Sequence, residues 1–227
     1  MNRPMAQHGV ERAVQIPAGR VTLEGDLVVP PGSLGILLFA HGSGSSRHSP
    51  RNRHVARLLQ EDGLATLLMD LLTAEEEAAD ARTAHLRFDI GLLAERLVGA
   101  TDWTTASAAA RGLQIGYFGA STGAGAALAA AAERPDAVKA IVSRGGRPDL
   151  AGGALDRVKA PTLLIVGGDD HVVIEMNREA LQRLRVAAKL EIVPGASHLF
   201  EEPGALDVVA RLARNWFTRH LQASPAA

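Results

Sequence analysis

Gln114-Ile115-Gly116-Tyr117-Phe118-Gly119-Ala120-Ser121-Thr122-Gly123 is the stretch on which the fold turns. The run from Gln114 to Phe118 is short and mainly apolar, as a buried strand requires, and the Ala-rich tract from Ala124 to Ala132 that follows predicts a helix. Between them stands Gly119-Ala120-Ser121-Thr122-Gly123, a G-x-S-x-G sequence. A serine on a sharp strand-to-helix turn needs glycines around it, because side chains at the flanking positions collide with strand and helix. Such a turn lifts the hydroxyl clear of the sheet. It also aims the helix N-terminus, and the N–H of Thr122, at a developing oxyanion.

The pattern outward from this turn is repetitive. Short apolar runs occur at Ile36 to Ala40, Ala65 to Met69, Ala140 to Val142, Thr162 to Val166 and Leu190 to Val193. Strands apolar on both faces are what a parallel sheet covered by helices requires. Helical spacing separates them. Val55, Leu58 and Leu59 share a face that closes at Gly63, and Leu86, Ile90, Leu93 and Leu97 recur at the same period, as do Met176, Ala180, Leu181 and Leu184. A last helix carries Val209, Leu212, Ala213 and Trp216. Towards the N-terminus the period changes to two. Val21, Leu23, Leu27 and Val29 alternate with Thr22, Glu24 and Asp26, a half-exposed strand. A strand from Val10 to Ile16 and a turn at Pro17-Ala18-Gly19 complete an antiparallel hairpin. The expected architecture is α/β: a mostly parallel, doubly wound sheet of about eight strands with an antiparallel N-terminal hairpin.

Composition sets the frame. The 227 residues suit one domain, 1–227, with flexible ends at 1–9 and 222–227. Hydrophobic residues at 47% fill a core, and charged residues at 22% with a net charge of −1 argue against disorder and give no reason to expect nucleic acid or an anionic membrane as partner. The absence of cysteine excludes disulfides, thiolate metal sites and a Cys nucleophile. No stretch approaches the roughly 20 apolar residues that span a bilayer, and Met1 to Ala18 lacks a signal-peptide core, so the expected location is cytoplasmic. No cofactor or metal is called for by these patterns.

Gly119, Gly123 and Gly125 also fit G-x-x-x-G-x-G, the phosphate loop of short-chain dehydrogenases. That loop belongs after a first strand, whereas here it stands mid-chain. It also works with a Tyr-x-x-x-Lys pair, and the only tyrosine, Tyr117, has Ser121 four residues later. The strand–Ser–helix turn instead resembles the nucleophile elbow of α/β-hydrolases, where the chain order is Ser, acid, His. Downstream of Ser121 the histidines are His171, His198 and His220. His220 ends the last helix beside Arg219, and His171 adjoins the acid candidates. His198, in the turn Pro194-Gly195-Ala196-Ser197-His198 past the last strand, is the expected base. Two aspartates compete to orient it, Asp169 and Asp170, because alternate residues at a strand end point in different directions. The pattern G-x-x-D-x-x-V of hydrolases with this fold is met by Gly167, Asp170 and Val173, and that resemblance favours Asp170.

At the end of the strand Ile36 to Ala40 comes His41-Gly42-Ser43-Gly44, the position at which hydrolases of this fold supply a second oxyanion N–H. The resemblance assigns it to Ser43, beside the N–H of Thr122, with His41 supporting the loop. Arg47, His48, Arg51 and Arg53 follow, read either as a cationic rim for carboxylate-bearing substrates or as a solvated loop. His41, Arg47, His48 and Arg144 are the candidate substrate contacts; Arg144 alternatively bonds carbonyls near Gly145-Gly146. Asp70 is expected to be structural and Glu75-Glu76-Glu77 an exposed helix start.

Together, the opening hairpin, His41-Gly42, the Ser121 turn, Gly-x-x-Asp170 and Gly-Ala-Ser-His198 resemble the dienelactone hydrolase family of α/β-hydrolases. The resemblance implies ester or lactone hydrolysis of a small substrate through an acyl-enzyme, without a cofactor. Dienelactone hydrolases proper carry a cysteine nucleophile where this chain has Ser121. Between Val142 and Thr162 there is room for one short helix, Asp149 to Arg157, and no cap; a small flap is expected only around Thr73 to Arg87. An acyltransferase with the same triad and a non-catalytic binding protein of this fold are the alternatives.

Overall fold

The computed structural model describes residues 9–221; apart from Gly9, the expected flexible ends lie outside the described residues. Eight strands form one sheet: β1 (Arg12–Ala18), β2 (Val21–Val28), β3 (Gly35–Ala40), β4 (Ala65–Met69), β5 (Gln114–Ala120), β6 (Val138–Arg144), β7 (Thr162–Gly167) and β8 (Ala188–Val193), in the order β1-β2-β4-β3-β5-β6-β7-β8. The first two strands are antiparallel, and β2 pairs antiparallel with β4; every other pairing is parallel. The hairpin turns later than its sequence suggests. Pro17 and Ala18 stay in β1, opposite Thr22 and Val21. Proline is tolerated there because β1 is an edge strand, where a missing N–H costs no ladder bond.

The described residues hold six α-helices, α1 (Pro50–Glu61), α2 (Ala74–Thr83), α3 (Ile90–Ala106), α4 (Thr122–Glu133), α5 (His171–Arg183) and α6 (Ala205–His220), and all but α2 pack against the sheet. β3 shows how the two layers form. Ile36, Leu38 and Ala40 point into the core shared with Leu93 and Leu97 of α3 and Ala126 and Ala130 of α4. Leu37 and Phe39 point into the opposite core, with Val55 and Leu59 of α1 and Val209, Ala213 and Phe217 of α6. A strand buried on both faces has no reason to alternate, hence the continuous apolar run. The Ala-rich α4 is enclosed by the sheet, α3 and the segment 148–157, its residues from Thr122 to Leu128 all buried.

Leu86 falls outside the helix predicted from its spacing with Ile90. It sits in a short 3-10 turn, Leu86–Phe88, and Asp89 starts α3 afresh by accepting the Leu92 N–H, 3.0 Å. The segment between β6 and β7 is likewise two 3-10 turns spanning Pro148–Arg157, kinked at Gly152. Residues 74–83 form α2, opened by a capping box in which Thr73 and Glu76 satisfy each other's backbone N–H groups. No cap domain stands over the C-terminal edge of the sheet among the described residues.

The chain leaves β3 towards β4 on one side and returns to β5 on the other. Strand order therefore reverses at β3, and the crevice outside the carboxyl ends of β3 and β5 is where open α/β sheets place a ligand.

Candidate active site

β5 ends at Ala120 and α4 begins at Thr122, so Ser121 alone makes the turn, with φ 51° and ψ −122°. A non-glycine residue pays about 1–3 kcal/mol for such a conformation, and the surroundings hold it there. The Ser121 N–H donates to the Arg144 carbonyl, 3.2 Å, while the Ser121 carbonyl accepts from Ala124 and Arg147 N–H, both 3.1 Å. The flanking glycines are required by close approach. A Cβ on Gly119 would lie 2.5 Å from the Ala124 Cα, and one on Gly123 would fall on the carbonyl oxygens of Ala40 and His41. Strand, helix and the β3 loop thus meet at the G-x-S-x-G turn with no room for side chains.

His198 and Asp170 arrive from neighbouring strands. The loops after β7 and β8 are tied together by Gly168 N–H to the Val193 carbonyl, 2.8 Å, and Asp169 N–H to the Ala196 carbonyl, 3.0 Å. That lacing brings Asp170 Oδ2 to 2.6 Å from His198 Nδ1, and His198 Nε2 lies 3.3 Å from Ser121 Oγ. Asp169 is exposed, its backbone spent on the lacing. Asp170 occupies the position before α5, yet its side chain makes no capping bond there and is turned to the histidine.

The second expected oxyanion donor is engaged. Ser43 N–H donates to Thr122 Oγ1, 2.8 Å, so the β3 loop and the nucleophile helix are pinned to one another through the hydroxyl of Thr122. Sequence reasoning weighed only the backbone of Thr122 and missed this.

Four side chains were expected as substrate contacts, and three are placed otherwise. His41 is only 6% exposed. Its Nδ1 lies 2.9 Å from the Gly42 carbonyl, and its Nε2 accepts the Leu71 N–H, 3.1 Å. Both ring nitrogens therefore serve backbone, with the proton on Nδ1. Burial lowers its pKa against the opposing pull of the Gly42 carbonyl, Asp70 and Glu77, and the ring is a neutral brace. Arg47 turns away from Ser121 and is held by carboxylates: Glu24 at 2.5 Å, Asp26 at 3.7 Å, and Asp70 through both its guanidinium and its backbone N–H. His48 is exposed and outside the cleft. The cationic rim dissolves on the same grounds, since Arg53 pairs with Glu11 and Asp26, and Arg51 with Glu201. The reason is charge matching: Glu11 just before β1, the acids of β2, Asp70 at the end of β4 and Glu201 after β8 meet the basic residues of the β3 loop and the first turn of α1.

Arg144 is the exception. It lines a cleft of about 210 Å³ with Ser121, His198, Ser43, Arg51 and Asn52. Asn52 escaped sequence reasoning, although a signal was present. It sits at the first position of the α1 stripe whose later members, Val55, Ala56 and Leu59, are buried apolar residues. A polar residue on an apolar stripe asks for a buried partner. Asn52 has one in Arg144, 3.2 Å away.

The chain is similar to known proteins in sequence and in fold. The profile of the dienelactone hydrolase family matches residues 23–222. The chain belongs to the dienelactone hydrolase family. A dienelactone hydrolase from Anabaena variabilis is 65% identical in sequence, with a TM-score of 0.94 over 95% of this chain and 100% of that one. An α/β serine hydrolase without a lid from Xanthomonas campestris, 21% identical, shares the fold with a TM-score of 0.73 over 95% of this chain and 97% of its own. A curated Mycobacterium tuberculosis protein, provisionally named as a phosphoribosyl transferase, is 56% identical over 211 residues, 93% of this chain. Those residues are 47% of the relative, so the chain spans about half the length of that protein.

Proposed function

We propose that this family member hydrolyses carboxylic ester or lactone bonds of small substrates, with Ser121 as nucleophile, His198 as base and Asp170 as its orienting acid. The reading is carried by one observation: Ser121 Oγ, His198 and Asp170 stand in a single hydrogen-bonded series at 3.3 and 2.6 Å. Ser121 Oγ attacks the carbonyl carbon as His198 Nε2 takes its proton, and Asp170 stabilises the imidazolium. The tetrahedral oxyanion receives the N–H of Thr122 and that of Ser43, which exchanges Thr122 Oγ1 for the oxyanion. His198 then protonates the leaving alkoxide and the alcohol departs. Water, deprotonated by the same histidine, attacks the acyl-enzyme; the acid leaves and the proton returns to Ser121.

The uncapped cleft favours small, accessible acyl groups. It also leaves the acyl-enzyme open to an acceptor alcohol in place of water, which is the acyltransferase reading. The phosphoribosyl transferase name belongs to a chain about twice as long, and this proposal concerns the part that the present chain spans.

A fluorophosphonate probe should label the protein at Ser121 and fail to label Ser121→Ala. Labelling that persists in the variant overturns the assignment. A parallel assay on nitrophenyl esters with and without added alcohol separates hydrolysis from transfer by the product formed.

A further inference from the structure

Asn177 is the polar member of a buried stripe. On α5 it stands with Val173, Ile174 and Ala180, and it is 0% exposed. An amide enclosed on an apolar face has to find partners. Its Nδ2 donates to two carbonyls: Val173, 2.8 Å, one turn back on the same helix, and Gly146, 3.0 Å, in the loop after β6. In an α-helix the first of these carbonyls already faces the backbone N–H of residue 177. The bond to Gly146 is the one that reaches beyond the helix.

The loop it reaches holds the nucleophile. The Arg144 carbonyl accepts the Ser121 N–H, 3.2 Å, and the Arg147 N–H donates to the Ser121 carbonyl, 3.1 Å. Both peptide groups that hold Ser121 at φ 51° are therefore bonded to residues on either side of Gly146. Gly145 packs under the base: a Cβ there would lie 3.0 Å from the His198 carbonyl oxygen and 3.6 Å from His198 Nδ1. α5 itself begins at His171, directly after Asp170, whose carboxylate holds His198. From Asp170 to Asn177 is about two helical turns, roughly 10 Å. One rigid element thus meets both halves of the site, acid and base at its start and the nucleophile turn, through Gly146, farther along. We propose that Asn177 is a positioning residue, whose bond to Gly146 sets where the Ser121 turn stands relative to His198. One histidine can then serve both Ser121 Oγ and the leaving oxygen. The inference rests on the hydrolase reading of the site.

Two acetate esters read that placement. 4-Nitrophenyl acetate and phenyl acetate form the same acyl-enzyme, but phenolate is the stronger base and gains more from a proton delivered by His198. Asn177→Leu occupies the position without a donor. It should lower kcat/KM for 4-nitrophenyl acetate about tenfold or more, the scale of a small misplacement. For phenyl acetate the loss should be greater by a further factor of about three or more. The ratio of the two esters does not depend on how much protein is folded, so a purely structural role leaves it at the wild-type value. Ala180→Gly, on the same stripe, weakens α5 at a side chain that can donate no bond to the loop. It should lower the urea midpoint and keep the ratio. Where Asn177→Leu fails to fold, Asn177→Ser takes its place: a helical serine hydroxyl bonds the carbonyl four residues back, here Val173, and is too short to reach Gly146. An unchanged ratio in the variant that folds, or an equal change in Ala180→Gly, overturns the positioning role and leaves the hydrolase intact. If wild-type protein turns over neither ester and takes no fluorophosphonate at Ser121, the hydrolase reading fails and this one with it.

Discussion

Arg47 and Arg144 lie on the same α/β scaffold and differ in what surrounds them. Arg47 sits on the flank where the β3 loop meets β2 and β4, with Glu24, Asp26 and Asp70 around one guanidinium. Arg144 sits at the strand ends next to Ser121, with a neutral amide and an aromatic ring and, among the described residues, no carboxylate paired with it. On the flank every charge is answered within the fold, and the interactions serve stability. At the strand ends the account is left open: a serine held at φ 51°, an oxyanion donor engaged elsewhere, a cation without an anion. Proteins place such unresolved features where a ligand or transition state will resolve them. Substitutions in the two regions should accordingly separate activity from stability.

The largest effect belongs to Ser121→Ala. It should reduce kcat for a nitrophenyl ester by about three to six orders of magnitude. The stability cost should stay below about 1 kcal/mol by urea denaturation, since only a hydroxyl is removed from a partly exposed turn. A large loss of stability with modest loss of rate breaks the comparison.

The opposite signature is expected of Arg47→Met. Three carboxylates lose their common partner, and the Arg47 side chain is 18% exposed, so the pairing is only partly screened by water. Removing one member of a buried ion cluster leaves the others uncompensated; with partial exposure a loss of about 1–3 kcal/mol is expected. Urea unfolding reads the loss, and kcat/KM at a temperature where the variant is folded should match wild type. A variant of normal stability with altered ester preference returns Arg47 to the substrate-contacting role that its loop first suggested.

Why that role was misread explains what a sequence shows of this protein. Strands β3 and β4 and the Ser121 turn were legible because their signals are local: continuous apolar runs, and glycines that flank a serine. His198 and the aspartate pair were legible through chain order and strand ends, although the choice of Asp170 over Asp169 rested on resemblance. Arg47 was not legible, because its partners come from two distant segments, β2 and the end of β4, and nothing in the loop announces them. Asp26 shows the same limit. Alternation placed it on the solvent face of β2, yet it is 9% exposed, since Arg47 and Arg53 fold over it. Pairing between distant side chains leaves no periodic trace, and that information decides between a cationic rim and a neutralised one.

A smaller effect is expected from Thr122→Val. Ser43 N–H must leave Thr122 Oγ1 to meet the oxyanion, so part of the stabilisation offered by the hole goes to breaking an existing bond. A hydrogen bond is worth about 0.5–1.5 kcal/mol net, and its removal should raise kcat by about two- to tenfold. A fall in kcat would show instead that the hydroxyl positions the Ser43 loop, making this contact part of the answered region.

His41 offers the finest distinction, because it stands beside the site yet belongs energetically with the flank. Its Nε2 accepts the Leu71 N–H, and burial holds its pKa below the ordinary histidine value. Protonation would set two N–H groups against each other. With the folded pKa depressed, the unfolded chain binds the proton first. The His41 contribution to stability is therefore complete above about pH 6.5 and declines as pH falls below it. Unfolding measured between pH 7.5 and 5 should show stability falling with acidity, and His41→Asn, though less stable throughout, should show a shallower slope. Equal slopes would place the proton on some other group. A slope in ester hydrolysis that disappears in the variant while the unfolding slope remains would move His41 from the brace to the chemistry.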